Sequence, residues 1–190
     1  MRGRERLLSG RLRRSSNRAP NFDYRSVGAY FLTVVTYNRE CIFGAIKDGR
    51  LIPSLAGRNV AAEWARTPSK RSNFQIDAFV VMPNHLHGIL IVTTELPRAP
   101  EQLTDGGPRL KSPSNSVGAV VRGFKAATTT ELNRMAGTPG MPLWQANYHD
   151  RILASDREIQ SAREYIRRNP ANWPDDPHFN AGSTDPRAAL

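Results

Sequence analysis

Residues 74–92, FQIDAFVVMPNHLHGILIV, predict a β-hairpin that lies at the centre of the fold. The first half, residues 74–82, alternates apolar side chains on one face and contains the β-branched and aromatic residues that favour a strand. Pro83 and Asn84 then predict a tight turn, because proline presets φ and asparagine tolerates left-handed geometry. Residues 85–92 form the return strand of the hairpin.

Two histidines begin this return strand. His85 and His87 are one residue apart, so their imidazoles point to the same face of the sheet, close enough to bind one ion. We expect that face to be open to solvent at the start of the strand. Two hydrogen-bonded histidines without a metal would produce the same pattern, and a metal site needs at least a third nitrogen or oxygen ligand.

The remaining elements predict the fold class. The order strand, helix, strand, strand, helix, strand is typical of a ferredoxin-like βαββαβ sandwich, an α+β fold with helices on one face of an antiparallel sheet. One further helix is appended at the C-terminal end. The elements outside the hairpin are a strand at 29–37, a helix from Pro53 or Ser54 to Arg66, a helix from Ser116 to Met135, a strand within 143–153 and a helix from Ser155 to Asn169.

The chain is strongly basic, with 27 lysines and arginines against 17 acidic residues and a net charge of +10. Arginine dominates, and its planar guanidinium suits phosphate groups, so a nucleic acid is the expected partner. An arginine-rich proteome would produce the same excess. We divide the chain into a flexible basic arm (1–22), one domain (23–173) and an irregular tail (174–190), with Arg13 and Arg14 as candidate DNA contacts.

Other classes of protein are disfavoured. No apolar run approaches the roughly 18 to 20 residues of a membrane span, and the apolar core of a secretory signal is missing. The single cysteine excludes an internal disulfide framework. We therefore expect a cytoplasmic protein without membrane contact. Residues 94–115 contain many proline, glycine and polar residues and predict a long loop.

The last helix offers a third ligand and a nucleophile. Tyr165 and Asn169 are four residues apart and so share one helical face. An asparagine carbonyl is a suitable ligand for a hard divalent ion. A tyrosine beside an ion held by His85 and His87 can attack a phosphodiester while the ion stabilises the developing negative charge. The alternative is that Tyr165 is a packing residue.

These motifs resemble those of the HUH single-tyrosine transposases of the insertion sequence 200-like superfamily, and most closely the REP-associated tyrosine transposases. The resemblance spans roughly residues 23–173. It rests on five stretches, in chain order VGAYFLTVVTYNRECIFG, MPNHLHGILIV, SVGAVVRGFKAATTTELNR, LWQANYHDRIL and EYIRRNP.

The resemblance implies a role for each matching residue. His85 and His87 match the metal-binding pair, Asn169 the third ligand, and Tyr165 the nucleophile, which in this family forms a 5′-phosphotyrosine and frees a 3′-hydroxyl. The implied cofactor is Mg²⁺ or Mn²⁺, and imidazole ligands favour Mn²⁺. The implied partner is single-stranded DNA beside a hairpin, including REP-like palindromes, in a bacterial cytoplasm with association to the nucleoid.

Several residues outside this group are weaker candidates. Arg122 and Lys125 could contact backbone phosphates, and Trp144 could stack on an unpaired base, although core packing explains Trp144 equally well. Tyr148 is the second candidate nucleophile.

Three functions remain open at this stage. The first is a metal-dependent single-strand DNA endonuclease and strand transferase, and the second is a domesticated DNA-binding protein that does not cleave. An RNA-binding ferredoxin-like module ranks last, because it predicts aromatic residues where this sequence has histidines. Whether the protein is a monomer or a homodimer also stays open.

Overall fold

The computed structural model describes residues 26–94, 116–183 and 185–190, so the basic arm with Arg13 and Arg14, and nearly all of the 94–115 loop, lie outside the described part. No helix in the described part is long and apolar enough to cross a membrane. The elements there are β1 (Gly28–Val35), β2 (Gly44–Lys47), β3 (Arg50–Pro53), α1 (Leu55–Ala65), α2 (Thr67–Lys70), β4 (Phe74–Met82), β5 (His85–Val92), α3 (Val117–Ala136), β6 (His149–Leu153) and α4 (Asp156–Arg168).

The main sheet confirms the predicted fold class. Its four strands lie in the order β4-β5-β1-β6, and every neighbouring pair is antiparallel. The predicted 74–92 hairpin is the pair β4 and β5, joined by the turn at Pro83 and Asn84. The strand β5 lies between β4 and β1, and in its pairing with β1 His85 is opposite Val35 and His87 is opposite Thr33. This register places the histidines in the middle of the sheet rather than at its edge.

The two faces of the sheet carry different helices. One face packs against α1 and α3 through a large apolar cluster that includes Leu86, Leu90, Trp64 and Phe124. The approach of α1 is close: a Cβ at Gly88 would lie 3.1 Å from the Trp64 ring. The predicted helices therefore share one face, and the appended helix α4 covers the opposite face.

Three serines begin the three long helices, as their sequence positions predict. Ser54, Ser116 and Ser155 each accept a hydrogen bond from the backbone N–H three residues later. At the start of α4, Glu158 reaches back as in a capping box, but it accepts from the N–H of Ala154 rather than from that of the cap residue. The caps fix where each helix starts, and for α4 this sets which side chains face the sheet.

A second, two-stranded sheet was not predicted. β2 and β3 pair around Asp48 and Gly49, which both have positive φ angles of 51° and 70°. Two such residues are typical of a type I′ hairpin turn. The two flanking strands are four residues each and show no clear alternation of apolar and polar residue types, so the sequence does not indicate this sheet.

The strand predicted within residues 143–153 is shorter than its aromatic content suggested. β6 is confined to His149–Leu153, and of the residues before it only Trp144 makes a bridge, to Thr36. Residues 143–145 instead bond irregularly to the end of β1 and the residues after it, from the Tyr37 N–H to the Leu143 carbonyl and from the Gln145 N–H to the Val35 carbonyl. The Trp144 side chain is 6% exposed there and donates from Nε1 to Thr128 Oγ1 at 2.9 Å.

The residues after α4 form short 3₁₀ turns at Trp173–Asp175 and Pro186–Ala189. They lie against the domain and are held there at both ends. Asn84 Nδ2 donates to the carbonyl of His178 at 2.7 Å. The buried Arg187 pairs with Asp185 and donates to Asn133 Oδ1 at 2.8 Å. Irregular local structure is expected after residue 173, but the sequence does not indicate that Trp173 and His178 cover the histidines.

Candidate metal and nucleophile site

The two histidines of β5 meet on the face of the sheet that α4 covers. Their ring centroids are 4.4 Å apart, and both side chains are almost completely buried. The expectation that this face is open to solvent is wrong, because the rings of Trp173 and His178 lie 6.0 and 5.0 Å from the His85 ring. Burial matters for chemistry, since a buried imidazole resists protonation and keeps a lone pair for a ligand.

Asn84 fixes the tautomer of His85. Its amide nitrogen donates to the carbonyls of Arg39 and His178, at 3.0 and 2.7 Å, so its oxygen Oδ1 is left as an acceptor. Oδ1 lies 2.9 Å from His85 Nδ1, which must therefore carry the proton. The other nitrogen, Nε2, then has a free lone pair and no hydrogen-bond partner among the described residues. An imidazole oriented by a neighbour in this way is typical of a metal ligand.

His87 is oriented by Thr33, its partner in the register. Thr33 Oγ1 lies 2.8 Å from His87 Nδ1. His87 Nε2 faces α4, with the hydroxyl oxygen of Tyr165 at 3.4 Å. Both histidines thus use Nδ1 for a protein hydrogen bond and direct Nε2 into the site.

Asp176 is the residue that the sequence analysis missed. It is buried, and its Oδ2 lies 3.8 Å from His85 Nε2. One potential ligand atom from each of His85, His87 and Asp176 lies within 4.8 Å of the other two. Ligands of one divalent ion, at about 2.0–2.2 Å from it, can be up to about 4.4 Å apart, so the three atoms need to move little to bind one ion. The two aspartates of the segment WPDDP were the only signal in the sequence.

Asn169 lies in the same group. Its Nδ2 donates to Asp176 Oδ2 at 3.2 Å, and its Oδ1 is buried without a hydrogen-bond partner among the described residues. A buried carbonyl oxygen without a partner is costly, and a cation would satisfy it. Two neutral imidazole nitrogens, a carboxylate and an amide oxygen form a donor set that fits Mn²⁺ or Mg²⁺.

Tyr165 lies beside this donor set and is accessible to solvent. Its side chain is 43% exposed, and its ring makes edge contacts with His87 and Phe31, at 5.2 and 5.8 Å. Partial burial raises the pKa of Tyr165, and the nearby Asp176 carboxylate raises it further. The hydroxyl is therefore a phenol at neutral pH, and a bound cation would shift its pKa in the opposite direction. The tyrosine and the histidines belong to the same chain.

A salt bridge between α4 and the sheet holds the tyrosine helix. Arg163 donates to both carboxylate oxygens of Asp77, at 2.7 and 3.0 Å, across 86 residues of sequence. Asp77 lies on β4 where the pairing with β5 is irregular, between Ile76 and Phe79. The apolar contacts of α4 with the sheet come from Ala162 and Ile166. The bidentate ion pair between Arg163 and Asp77 helps to orient α4 on the sheet, in addition to these small apolar contacts.

The candidate DNA contacts are dispersed. Arg122 is exposed on α3. Lys125 donates to the carbonyls of Gln145 and Asn147 at 2.9 and 2.8 Å, and burial lowers its pKa to about 8. It therefore anchors the segment before β6. The Trp144 ring packs between Phe43 and Phe124, which favours the core-packing alternative over base stacking.

The buried histidines should make the protein less stable in acid. Burial, and then repulsion from His178, lowers the pKa of His85 to about 3, and burial, and then repulsion from His85, lowers that of His87 to about 2. The unfolded chain binds protons below the ordinary pKa of 6.5, whereas the native state does not until its lower pKa values are reached. Stability therefore falls as pH decreases through this window, by on the order of 1 kcal/mol per histidine between pH 7.5 and 5.5.

Urea unfolding in the presence of a metal chelator measures this effect. An unfolding free energy that stays constant between pH 7.5 and 5.5 would show that the two imidazoles take up protons in the native state as readily as in the unfolded chain.

Two comparisons place the chain among known proteins, and no family model matches it. An uncharacterized protein of Haemophilus influenzae is 34% identical over 166 residues, which cover 86% of this chain and 91% of the relative. A REP-associated tyrosine transposase, solved bound to a REP hairpin, superposes with a TM-score of 0.53 at 16% identity. That match covers 88% of this chain and 93% of the transposase. The resemblance to REP-associated transposases that the sequence motifs indicate is thus confirmed at the level of the fold.

Proposed function

We propose a function from two premises: this chain belongs to one family with the uncharacterized Haemophilus influenzae protein, and it has the fold of a REP-associated tyrosine transposase. The protein is a metal-dependent single-strand DNA endonuclease and strand transferase that cleaves beside DNA hairpins. The observation that carries the proposal is the position of the Tyr165 hydroxyl, 3.4 Å from His87 Nε2 and beside the His85–His87–Asp176 group.

The metal would be held by His85, His87 and Asp176, with the Asn169 carbonyl as a further ligand. A bound Mg²⁺ or Mn²⁺ supplies a positive charge that polarises the scissile phosphate and stabilises the charge that develops on it. Asn84 keeps His85 in the tautomer that offers Nε2, and Thr33 orients the His87 ring so that its Nε2 faces the site. This orientation is present before substrate binds, so little reorganisation is needed.

Tyr165 carries out the covalent step. Its oxygen attacks the phosphorus, the bond from phosphorus to the 3′-oxygen breaks, and the phenol proton is lost as the 5′-phosphotyrosine forms. The departing 3′-oxygen takes up a proton and becomes a hydroxyl. Strand transfer reverses these steps with a different 3′-hydroxyl as the attacking group. The tyrosine acts on the site of its own chain, so the step does not require a second copy.

The substrate is single-stranded DNA flanked by a hairpin, of the REP-like palindromic kind. The chain's charge of +10 favours a polyanion, and the transposase of the same fold was solved on a REP hairpin. A protein with this substrate acts in the cytoplasm, at the nucleoid. The alternative is a domesticated DNA-binding protein that recognises the same palindromes without cleavage, and the basic charge supports it equally.

A covalent-adduct assay separates these alternatives. The protein is incubated with an end-labelled hairpin oligonucleotide from palindromic repeats of its host genome, with Mn²⁺ or Mg²⁺, and analysed on a denaturing gel. A labelled band at the mass of protein plus DNA fragment supports cleavage. Hairpin binding with no such band, at every substrate tested, would favour the non-cleaving protein.

Breaking the Arg163–Asp77 salt bridge should impair catalysis more than stability. Asp77→Asn should reduce the free energy of unfolding by at most about 1 kcal/mol, because Arg163 is substantially exposed. Adduct formation should fall by more than the roughly fivefold that this energy represents, because the bridge orients the helix turn that carries Tyr165.

Glu164→Gln is the matched control, since among the described residues Glu164 pairs with Arg167 and Arg168 of α4 itself and not with the sheet. It should leave the adduct rate and the urea midpoint nearly unchanged. Equal rates of adduct formation in Asp77→Asn and Glu164→Gln would show that the Arg163–Asp77 salt bridge does not position Tyr165.

A further inference from the structure

A surface depression of about 450 Å³ lies next to the candidate site, lined by Tyr37, Asn38, Arg39, Gln145 and Ala146. This volume falls within the roughly 300–1,000 Å³ of small-ligand pockets. Two segments that follow β1 and precede β6 form it. Hydrogen bonds hold these segments together, from the Tyr37 N–H to the carbonyl of Leu143 at 2.9 Å and from the Gln145 N–H to that of Val35 at 3.0 Å.

The lining of the depression combines an aromatic ring with free amides. The Tyr37 side chain is 48% exposed, and it has no hydrogen bond or ring contact with another described residue. The side-chain amides of Asn38 and Gln145 also have no hydrogen-bond partner in the described part. An exposed aromatic ring is a stacking platform for a base, and an amide offers the donor and acceptor that a base edge needs.

The backbone of the depression adopts a costly conformation. Asn38 and Arg39 are consecutive non-glycine residues with φ angles of 54° and 57°. Such residues cost on the order of 1 kcal/mol or more each, and they cluster at ligand-binding sites. The surrounding structure holds them: the Arg39 carbonyl accepts hydrogen bonds from Asn84 Nδ2 at 3.0 Å and from Asn180 Nδ2 at 3.1 Å.

The same side chains connect the depression to the metal ligands. Asn84 bonds to the Arg39 carbonyl with its nitrogen and to His85 Nδ1 with its oxygen. The Arg39 guanidinium donates to the carbonyl of Pro177, the residue after Asp176. The depression and the metal ligands are therefore joined through Asn84 and through the contact of Arg39 with Pro177.

We propose that this depression, the Tyr37 subsite, binds one unpaired nucleobase of the single strand near the phosphate that Tyr165 attacks. The inference rests on the proposed function and adds a base-binding position to it. The base stacks on the Tyr37 ring, and the amides of Asn38 and Gln145 contact its edge. A planar base fits this lining, because it offers a face to the Tyr37 ring and an edge to the two amides.

Abasic scanning of a bound hairpin tests the proposal. The full-length Tyr165→Phe protein, which does not cleave, is titrated with hairpins from the host's palindromic repeats that carry a single-stranded flank. Each probe lacks one base of the flank, and affinity is measured by fluorescence anisotropy. One abasic position should weaken binding at least about fivefold, the effect of losing one stacked base.

Adding Tyr37→Ala should weaken binding of the intact hairpin by a similar factor and abolish the sensitivity to that position. Tyr37→Phe keeps the ring and should retain most of the affinity. Ile52→Ala, an exposed apolar residue of the β2–β3 hairpin, is the matched control and should change nothing.

Three results would overturn the subsite: no binding of any hairpin, no sensitive abasic position, or a Tyr37→Ala loss that is equal for intact and abasic probes. These results are distinguishable from failure of the cleavage reaction, because the titration uses a variant that cannot form the adduct. If the protein binds a base here but never cleaves DNA, the Tyr37 subsite is supported and the proposed endonuclease activity is wrong.

Discussion

Tyr165→Phe should yield a folded protein that binds the hairpin but forms no covalent DNA adduct. The change removes one oxygen from a side chain that is 43% exposed, and that oxygen contacts His87 Nε2 at 3.4 Å and the Asn169 side chain. The phenylalanine ring can keep the edge contacts with Phe31 and His87. We therefore expect a change in unfolding free energy below about 1 kcal/mol.

The effect on chemistry should be much larger than the effect on stability. Without a nucleophile, no bond to phosphorus can form at this position, and residual cleavage would have to use water. We expect the adduct to fall below detection, a loss of at least several orders of magnitude by comparison with nucleophile removal in other enzymes. Labelled adduct on a denaturing gel and hairpin affinity by anisotropy measure the two properties separately.

Tyr148→Phe is the matched control, since Tyr148 was the second candidate nucleophile. Its ring lies 5.8 Å from Lys125 Nζ, on the side of the sheet that packs against α3, away from the histidines. It should retain the adduct at the wild-type level. Loss of the adduct in Tyr148→Phe, with retention in Tyr165→Phe, would reverse the assignment of the nucleophile.

Asp176→Asn should weaken Mn²⁺ binding by at least about 10–100-fold and reduce adduct formation in parallel. The substitution preserves the shape of the side chain but removes the one negative charge that the described donor set contains. Even residues that only orient a ligand change metal affinity by this factor, so a direct ligand should change it at least as much. Calorimetric titration of the protein with Mn²⁺ alone measures the affinity without reference to activity.

The acidity of Tyr165 cannot explain such a loss of adduct. The Asp176 carboxylate raises the pKa of Tyr165, so its removal makes the phenol more acidic, which by itself would favour attack. A parallel loss of Mn²⁺ affinity and adduct therefore points to the metal.

Asp175→Asn is the matched control for this prediction, because Asp175 is the neighbouring aspartate and its side chain is exposed. It should bind Mn²⁺ with wild-type affinity. Asn169→Ala adds a further distinction, since it should also weaken Mn²⁺ binding if the unpartnered carbonyl is a ligand. Unchanged Mn²⁺ affinity in Asp176→Asn would exclude this carboxylate from the site.

His85→Ala is a less selective test of the same site. The side chain is fully buried, and its loss would leave Asn84 Oδ1 without a donor, a cost of about 1–3 kcal/mol in stability. The variant should lose cleavage and keep much of its hairpin affinity. An equal loss of both would make His85 a folding residue.

Much of the site was predictable because its signals are local. The alternation in residues 74–92 predicted the hairpin and placed His85 and His87 on one face, as observed. Spacing along α4 placed Tyr165 and Asn169 one turn apart on the same side of the helix, and both lie beside the histidines. The serine caps predicted where three helices begin. These patterns repeat every two to four residues and are readable without knowing the path of the chain.

The tertiary structure decided which residues from distant parts of the sequence join the histidines and Tyr165 in the site. Asp176 and His178 enter the site through an irregular segment that has no periodicity, so nothing local connects them with residues 85–87. The Tyr37 subsite similarly combines two segments more than a hundred residues apart.

Burial was decided in the same way. Trp144 could equally have been an exposed stacking platform, and only its packing between Phe43 and Phe124 places it in the core. The sequence alone thus determined the central hairpin, the starts of the three long helices, the histidine pair and the tyrosine. The fold determined the carboxylate, the tautomer of His85 and the closure of the site, because these depend on contacts between residues far apart in the chain, and such contacts leave no periodic pattern in the sequence.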